Sequence, residues 1–125
     1  MSIELIAGLA VVAFVVVMMM IKGRGDAAEA VKLLREGAVL IDVRSRGEFA
    51  GGHIDKAINI PIDELARRLK NIDASKGVVV HCASGMRSSS ALSVLREAGI
   101  TAIANAGSYP SAVAVVKRAF APPES

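Results

Sequence analysis

Residues 77–90 read GVVVHCASGMRSSS, and this stretch decides the fold. A β-branched run, Gly77–His81, predicts a buried strand. Ser88–Ala98, with Ala91, Leu92, Val94 and Leu95 apolar and Gly99 beyond its end, predicts a helix. Between them sits the chain's one cysteine, Cys82, with Gly85 and Arg87 close behind. A strand running through a short loop into a helix is the repeating unit of a parallel α/β sheet.

The same alternation continues on both sides. Asp26, with Glu29 three residues on, predicts a capping box, and Ala30, Val31, Leu33 and Leu34 an apolar helix face that Gly37 closes. Ala38–Val43 reads as a second buried strand, Ser45–Ala50 as a short helical turn, and Ala57–Ile60 as a strand stopped by Pro61. Ile62–Ile72 puts Ile62, Leu65, Leu69 and Ile72 on one helical face. Thr101–Ala104 is a weaker fourth strand and Ser111–Phe120 a last helix. Strands apolar on both faces, alternating with helices, imply an α/β domain whose parallel sheet is covered on both sides.

In such a fold, ligands bind at the C-terminal ends of the strands. Cys82 lies there, before a helix N-terminus. Residues 83–87 can turn their N–H groups toward one point, where the helix dipole adds positive potential. Gly85 permits a backbone conformation that a Cβ opposes, and Arg87 adds a fixed charge. Each feature favours the thiolate, the nucleophilic form of cysteine. The alternative is a small buried thiol that happens to lie in a turn.

The loop CASGMRS, Cys82–Ser88, resembles the active-site loop of the rhodanese (sulfurtransferase) superfamily, Cys-x-x-Gly-x-Arg-Ser. Upstream, LIDVRSRGEFAGGHIDKAINIP, Leu40–Pro61, is similar to that family's other signature: Asp-Val-Arg, Glu-Phe, Gly-His-Ile and Ala-x-Asn-Ile-Pro. The resemblance covers about residues 26–120. It implies a small rhodanese-like domain with a mainly parallel four- or five-stranded sheet flanked by helices. The family's first strand would fall at Lys22–Gly25, which otherwise reads as a linker. Near its end the family often carries Gly-Gly and a Trp in a loop that walls the pocket. The matching stretch here is NAGSYPSAV, Asn105–Val113, with Ser108 in the second Gly's place and no Trp.

What the resemblance implies is sulfur transfer. Cys82 attacks the outer sulfur of a small anionic sulfane donor, thiosulfate or a persulfide. It holds that sulfur as a persulfide and passes it to a thiol or cyanide acceptor. Ala83, Ser84, Gly85, Met86 and Arg87 bind the substrate, Asp42 and Arg44 support the site, and no metal or organic cofactor is implied. Related dual-specificity phosphatases have a loop that resembles Cys-x5-Arg. The loop from Cys82 to Arg87 is one residue shorter, which favours a single sulfur over a phosphate. The alternative of another class is a non-catalytic rhodanese-like binding module held at a membrane.

Around the loop, Arg44 is a candidate ion-pair partner of Asp42 or Glu48. His53 reads as a hydrogen-bonding residue at a turn, with a Cys–His pair as the alternative. His81 should point away from Cys82 by strand alternation. Ser88 is the expected helix N-cap, Met86 an exposed rim residue, and Ser84 either a pocket donor or a solvated serine.

Upstream of the domain, Leu5–Ile21 holds seventeen residues with no charge, Pro, Asn or Gln. At about 1.5 Å each that is roughly 25 Å, near the lower limit for a spanning helix. A signal peptide would need a basic leading segment and a small-x-small site, and neither is present. The expected organisation is an anchor over residues 1–22, a domain over 23–121 and a tail over 122–125. Lys22 and Arg24 follow the apolar run and no basic residue precedes it, so a single-pass anchor would leave the domain in the cytoplasm. A lone cysteine suits a reducing compartment. The net charge of +3 comes from interspersed Lys/Arg and Asp/Glu, and the chain has three Phe, one Tyr and no Trp. A nucleic-acid groove needs clustered cations and stacking rings, so no nucleic acid is expected. The same anchor would set the domain beside a membrane-side protein partner.

Overall fold

The computed structural model describes residues 2–24 and 26–122, with side chains at 19–24 outside the description. Four strands form one parallel sheet in the order β2-β1-β3-β4: β1 Val39–Asp42, β2 Ile58–Asn59, β3 Val78–His81 and β4 Ile103–Gly107. Around it lie α1 Ile3–Arg24, α2 Ala27–Arg35, α3 Arg46–Ala50, α4 Leu65–Arg68, α5 Met86–Glu97 and α6 Tyr109–Phe120.

The period-two reading of the strands explains the layering. Leu40 and Val79 face one side with Ala104 and Ala106, against Ala30, Val31, Leu33 and Leu34 of α2 and Ala112, Val115 and Ala119 of α6. Ile41, Val78 and Val80 face the other, against Leu65 and Leu69 and against Ala91, Leu92 and Leu95 of α5. The small residues of β4 let α2 and α6 lie close to its face.

Several expected boundaries move. Asp26 makes no side-chain cap on α2, so the expected capping box is not formed there. Its N–H instead donates to Asn105 O at 2.6 Å and ties the start of α2 to β4. Ile62–Ile72 is not one helix: 3₁₀ turns at Ile62–Glu64 and Leu69–Asn71 flank the four residues of α4. The apolar face survives, with Leu65 and Leu69 buried. The fourth strand runs through Gly107 rather than ending at Ala104, because β3 continues to pair with it past an irregularity between Val80 and His81. A fifth strand at Lys22–Gly25 is absent among the described residues, since α1 stays helical through Arg24. Lys and Arg are good helix formers, so the helix passes through the expected linker. Gly25 and the last residues of the expected tail, 123–125, lie outside the described residues.

The expected membrane anchor gains no support from the fold. Among the described residues no helix is long and apolar enough to cross a membrane. The helix of 22 residues is present, but its side chains are described only as far as Met18.

Candidate active site

The site begins where β3 ends. Cys82 follows His81, its N–H donates to Gly107 O at 3.2 Å, and Tyr109 N–H donates to Ala83 O at 3.2 Å. A bridge between Ser84 and Ser108 holds the loop's far side. The stretch after β4 therefore braces the cysteine loop directly.

Gly85 turns the chain at φ 96° and serves as the N-cap residue of α5. That left-handed conformation is costly for a residue with a Cβ. It sends the following N–H groups back toward the cysteine. Gly85 N–H donates to Cys82 Sγ at 3.0 Å, and Ser88 N–H and the Ser88 hydroxyl lie 3.4 Å from the same sulfur. Ser88 is thus not the helix cap expected from sequence. It lies in the first turn of α5, fully buried, and α5 has no side-chain oxygen cap. The sulfur takes the place a capping oxygen would have.

Burial pushes the Cys82 thiol up, since the charged form loses water. The Ser88 hydroxyl and the N–H groups of Ser88, Gly85 and Ser84 outweigh that, and the net direction is down. The Ser88 hydroxyl also reaches Gly85 O at 3.1 Å. It has one proton to give, so a thiolate takes it and a neutral thiol leaves it to the carbonyl.

Of the expected cradle, Ala83, Ser84 and Met86 form an exposed rim, Met86 at 76 % exposure, while Gly85 is buried. Cys82 itself has 0 % exposure. Arg87 does not stand free. Its Nη1 and Nη2 donate to Glu48 Oε1 and Oε2 at 2.7 and 2.9 Å. Glu48 therefore pairs with Arg87 and not with Arg44. It also completes a capping box with Ser45 at the start of α3. These hydrogen bonds, Arg87 first and Ser45 next, lower the Glu48 pKa to about 2.

Arg44 grips Asp42 instead. Nε donates to Oδ1 and Oδ2 at 3.0 Å each, Nη2 to Oδ2 at 2.8 Å, and the Arg44 N–H to Oδ1 at 2.9 Å. The hydrogen bonds Arg44 donates to Asp42 raise the Arg44 pKa. Removing one partner of such a buried pair typically costs about 3–5 kcal/mol. Asn59 donates to Asp42 O and Arg44 O at 3.0 Å each, which fixes the turn after β1.

His53 is exposed, stacks on Phe49 and bonds Phe49 O through Nδ1 at 2.9 Å, a turn residue as expected. His81 does point away from Cys82. It lies fully buried with its ring 6.0 Å from that of Tyr109. Burial lowers its pKa, ahead of the opposing pull of Asp42. Two residues of the site have partners that spacing alone does not give. Glu48 was legible as half of a capping box. Asn105 donates weakly to Gly85 O at 3.4 Å and accepts from Gly107 N–H at 2.8 Å, a contact between β4 and the loop that no local pattern signals. A cleft of about 340 Å³ near Ile58, Ile60, Arg68 and Ile72 includes no residue of the cysteine loop. It is a separate feature from the thiol chemistry.

With this geometry in hand, the family model of the rhodanese-like domain matches residues 26–117. The chain is 46 % identical over 68 residues to the uncharacterized protein YqhL of Bacillus subtilis, 54 % of each chain. It is 38 % identical over 69 residues to thiosulfate sulfurtransferase PspE of Escherichia coli, 54 % of this chain and 66 % of that protein. The human single-domain sulfurtransferase TSTD1 superposes with a TM-score of 0.55 at 34 % identity, covering 66 % of this chain and 88 % of that one. The chain spans from 13 % to 66 % of the length of such curated relatives.

The Glu48–Arg87 pair has a pH signature. A carboxylate whose folded pKa lies below its unfolded value stabilises the fold above the unfolded pKa and loses that contribution as pH falls through the folded one. For Glu48 the window runs from 4.5 down to about 2. The stability advantage of the native chain over Glu48→Gln, read by urea unfolding, should be constant above that window and shrink within it. An advantage independent of pH would contradict the ion pair.

Proposed function

The chain belongs to the rhodanese-like domain family, and from that premise we propose that it is a sulfurtransferase in which Cys82 carries the sulfur. The observation that supports this most is the ring of donors on one sulfur, from Gly85 N–H, Ser88 N–H and the Ser88 hydroxyl. Donors fixed in place before reaction stabilise charge without reorganising.

In the proposed cycle the Cys82 thiolate attacks the outer sulfur of a donor R–S–SH. A new S–S bond forms on Cys82, the donor's S–S bond breaks, and R–S⁻ leaves with the electron pair. With thiosulfate the leaving group is sulfite. An acceptor thiolate or cyanide then takes the outer sulfur and returns the Cys82 thiolate. The N–H groups that hold the thiolate also face the persulfide. Ala83, Ser84 and Met86 would meet the incoming donor at the rim, beside the Arg87–Glu48 pair. Asp42 and Arg44 keep the adjoining wall in place. Since Cys82 is fully buried, the rim has to part before a donor sulfur touches it. That burial is what favours the second reading, a binding module without turnover.

The experiment is an intact mass of the full chain in detergent after exposure to thiosulfate or cysteine persulfide, beside Cys82→Ser. A gain of one sulfur, removed by cyanide or a thiol and missing in the variant, is the expected result. A folded chain with a free thiol that gains no sulfur from either donor leaves the binding module.

The proposal extends to place. Apolar side chains stand exposed around α1, with Val11 at 62 % and Phe14 at 66 %. An exposed apolar surface on all sides of a helix calls for a cover, and hydrocarbon supplies it. The reading is a single-pass anchor over residues 1–22 followed by a domain over 23–121 and a tail over 122–125, the domain on the cytoplasmic side near any membrane-bound partner. The full chain should stay with membranes through an alkaline carbonate wash, and a chain lacking residues 1–22 should not. Release of the full chain by carbonate would remove the anchor.

A further inference from the structure

This inference rests on the sulfurtransferase reading and concerns which donor the site accepts. Charge near Cys82 is set by two ion pairs. Arg44 is committed to Asp42, and Arg87 to Glu48. The charges of this group are linked: Glu48 acts on Arg44 as well as on Arg87, and Cys82 acts on Arg87. Two carboxylates therefore cancel two guanidinium groups. Once the thiol ionises, the group as a whole carries one negative charge, opposed by the backbone and hydroxyl donors and by an Arg87 whose charge Glu48 already engages. Those donors point at Sγ and not outward to the rim.

Donors differ sharply in what they ask of such a site. Thiosulfate is a dianion whose charge lies within one bond of the transferred sulfur. In cysteine persulfide the ammonium and carboxylate cancel, and at most one charge sits at the reacting end. We infer that Glu48 is a specificity-determining residue: by neutralising Arg87 it turns the site against dianionic donors and toward persulfides. The step is Cys82–S⁻ + R–S–SH → Cys82–S–SH + R–S⁻, which needs no oxidant or reductant.

Glu48→Gln tests this cleanly. Glutamine keeps an oxygen for the Ser45 capping box, so α3 retains its start, while the charge on Arg87 is set free. The chain's single cysteine permits a readout independent of sulfur transfer. The full chain in detergent is alkylated at low salt with iodoacetate, an anion, and with iodoacetamide, its neutral counterpart. Their rate ratio removes any change in thiol reactivity. One unit charge a few ångströms away in a water-like medium changes a monoanion's encounter about four-fold. Glu48→Gln should raise the iodoacetate-to-iodoacetamide ratio by about that factor, and the rise should fade with added salt. Asp73→Asn, the same charge change at the opposite end of β3, should leave the ratio alone. In sulfur loading, the native chain should prefer cysteine persulfide, and Glu48→Gln should shift kcat/KM toward thiosulfate. An unchanged alkylation ratio, a parallel loss with both donors, or a native preference for thiosulfate would overturn the inference. A ratio that rises in a chain that takes sulfur from neither donor would keep Glu48 as a charge gate and overturn the sulfurtransferase reading instead.

Discussion

The fold around the site depends on one unusual acceptor, the sulfur of Cys82, which stands where a helix normally finds a serine or aspartate oxygen. The first N–H groups of any helix lack intrahelical partners. In α5 the Ser88 N–H turns to the sulfur, and the Gly85 N–H joins it. This geometry requires Gly85 in its left-handed conformation and a strand that delivers Cys82 beneath the helix end. It also requires β4 and its following turn to hold Cys82 and Ala83 from the side. Capping of α5 and positioning of Cys82 are the same set of hydrogen bonds. A negative sulfur satisfies them better than a neutral one, because a charged acceptor makes stronger hydrogen bonds.

The surrounding ion pairs follow a different logic. Asp42 is fully buried and Arg44 nearly so, which is tolerable only because they bond each other at several points. Glu48 and Arg87 are half-exposed and bidentate. Both pairs are local in charge, and Arg87 also acts on Cys82. What lowers the thiol's pKa is chiefly the Ser88 hydroxyl and the N–H groups of Ser88, Gly85 and Ser84.

The sheet was legible because β1 and β3 are short apolar runs between turn residues, and burial on both faces leaves no other sheet type. Cys82 and Gly85 were legible from their place between strand and helix. What the local pattern missed arises from contacts distant in sequence. Ser88 looks like a cap from its position, but the loop is tight enough to bring the helix forward to Met86 and the hydroxyl inward. Arg87 looks like a free cation, yet its partner lies 39 residues upstream. Asp26 looks like a cap, but β4 claims its backbone. Ile62–Ile72 has the period of one helix, and the segment instead breaks into turns while keeping Leu65 and Leu69 inside.

The central claim is that this cradle holds Cys82 as a thiolate more readily than water does. The most direct measurement is a pH titration of the thiolate's ultraviolet absorbance in the folded chain, with Cys82→Ser as the blank and the urea-unfolded chain as the reference. The account predicts a midpoint below that of the unfolded chain. A midpoint at or above it would mean that burial outweighs the donors, and the cradle would be no more than a helix cap.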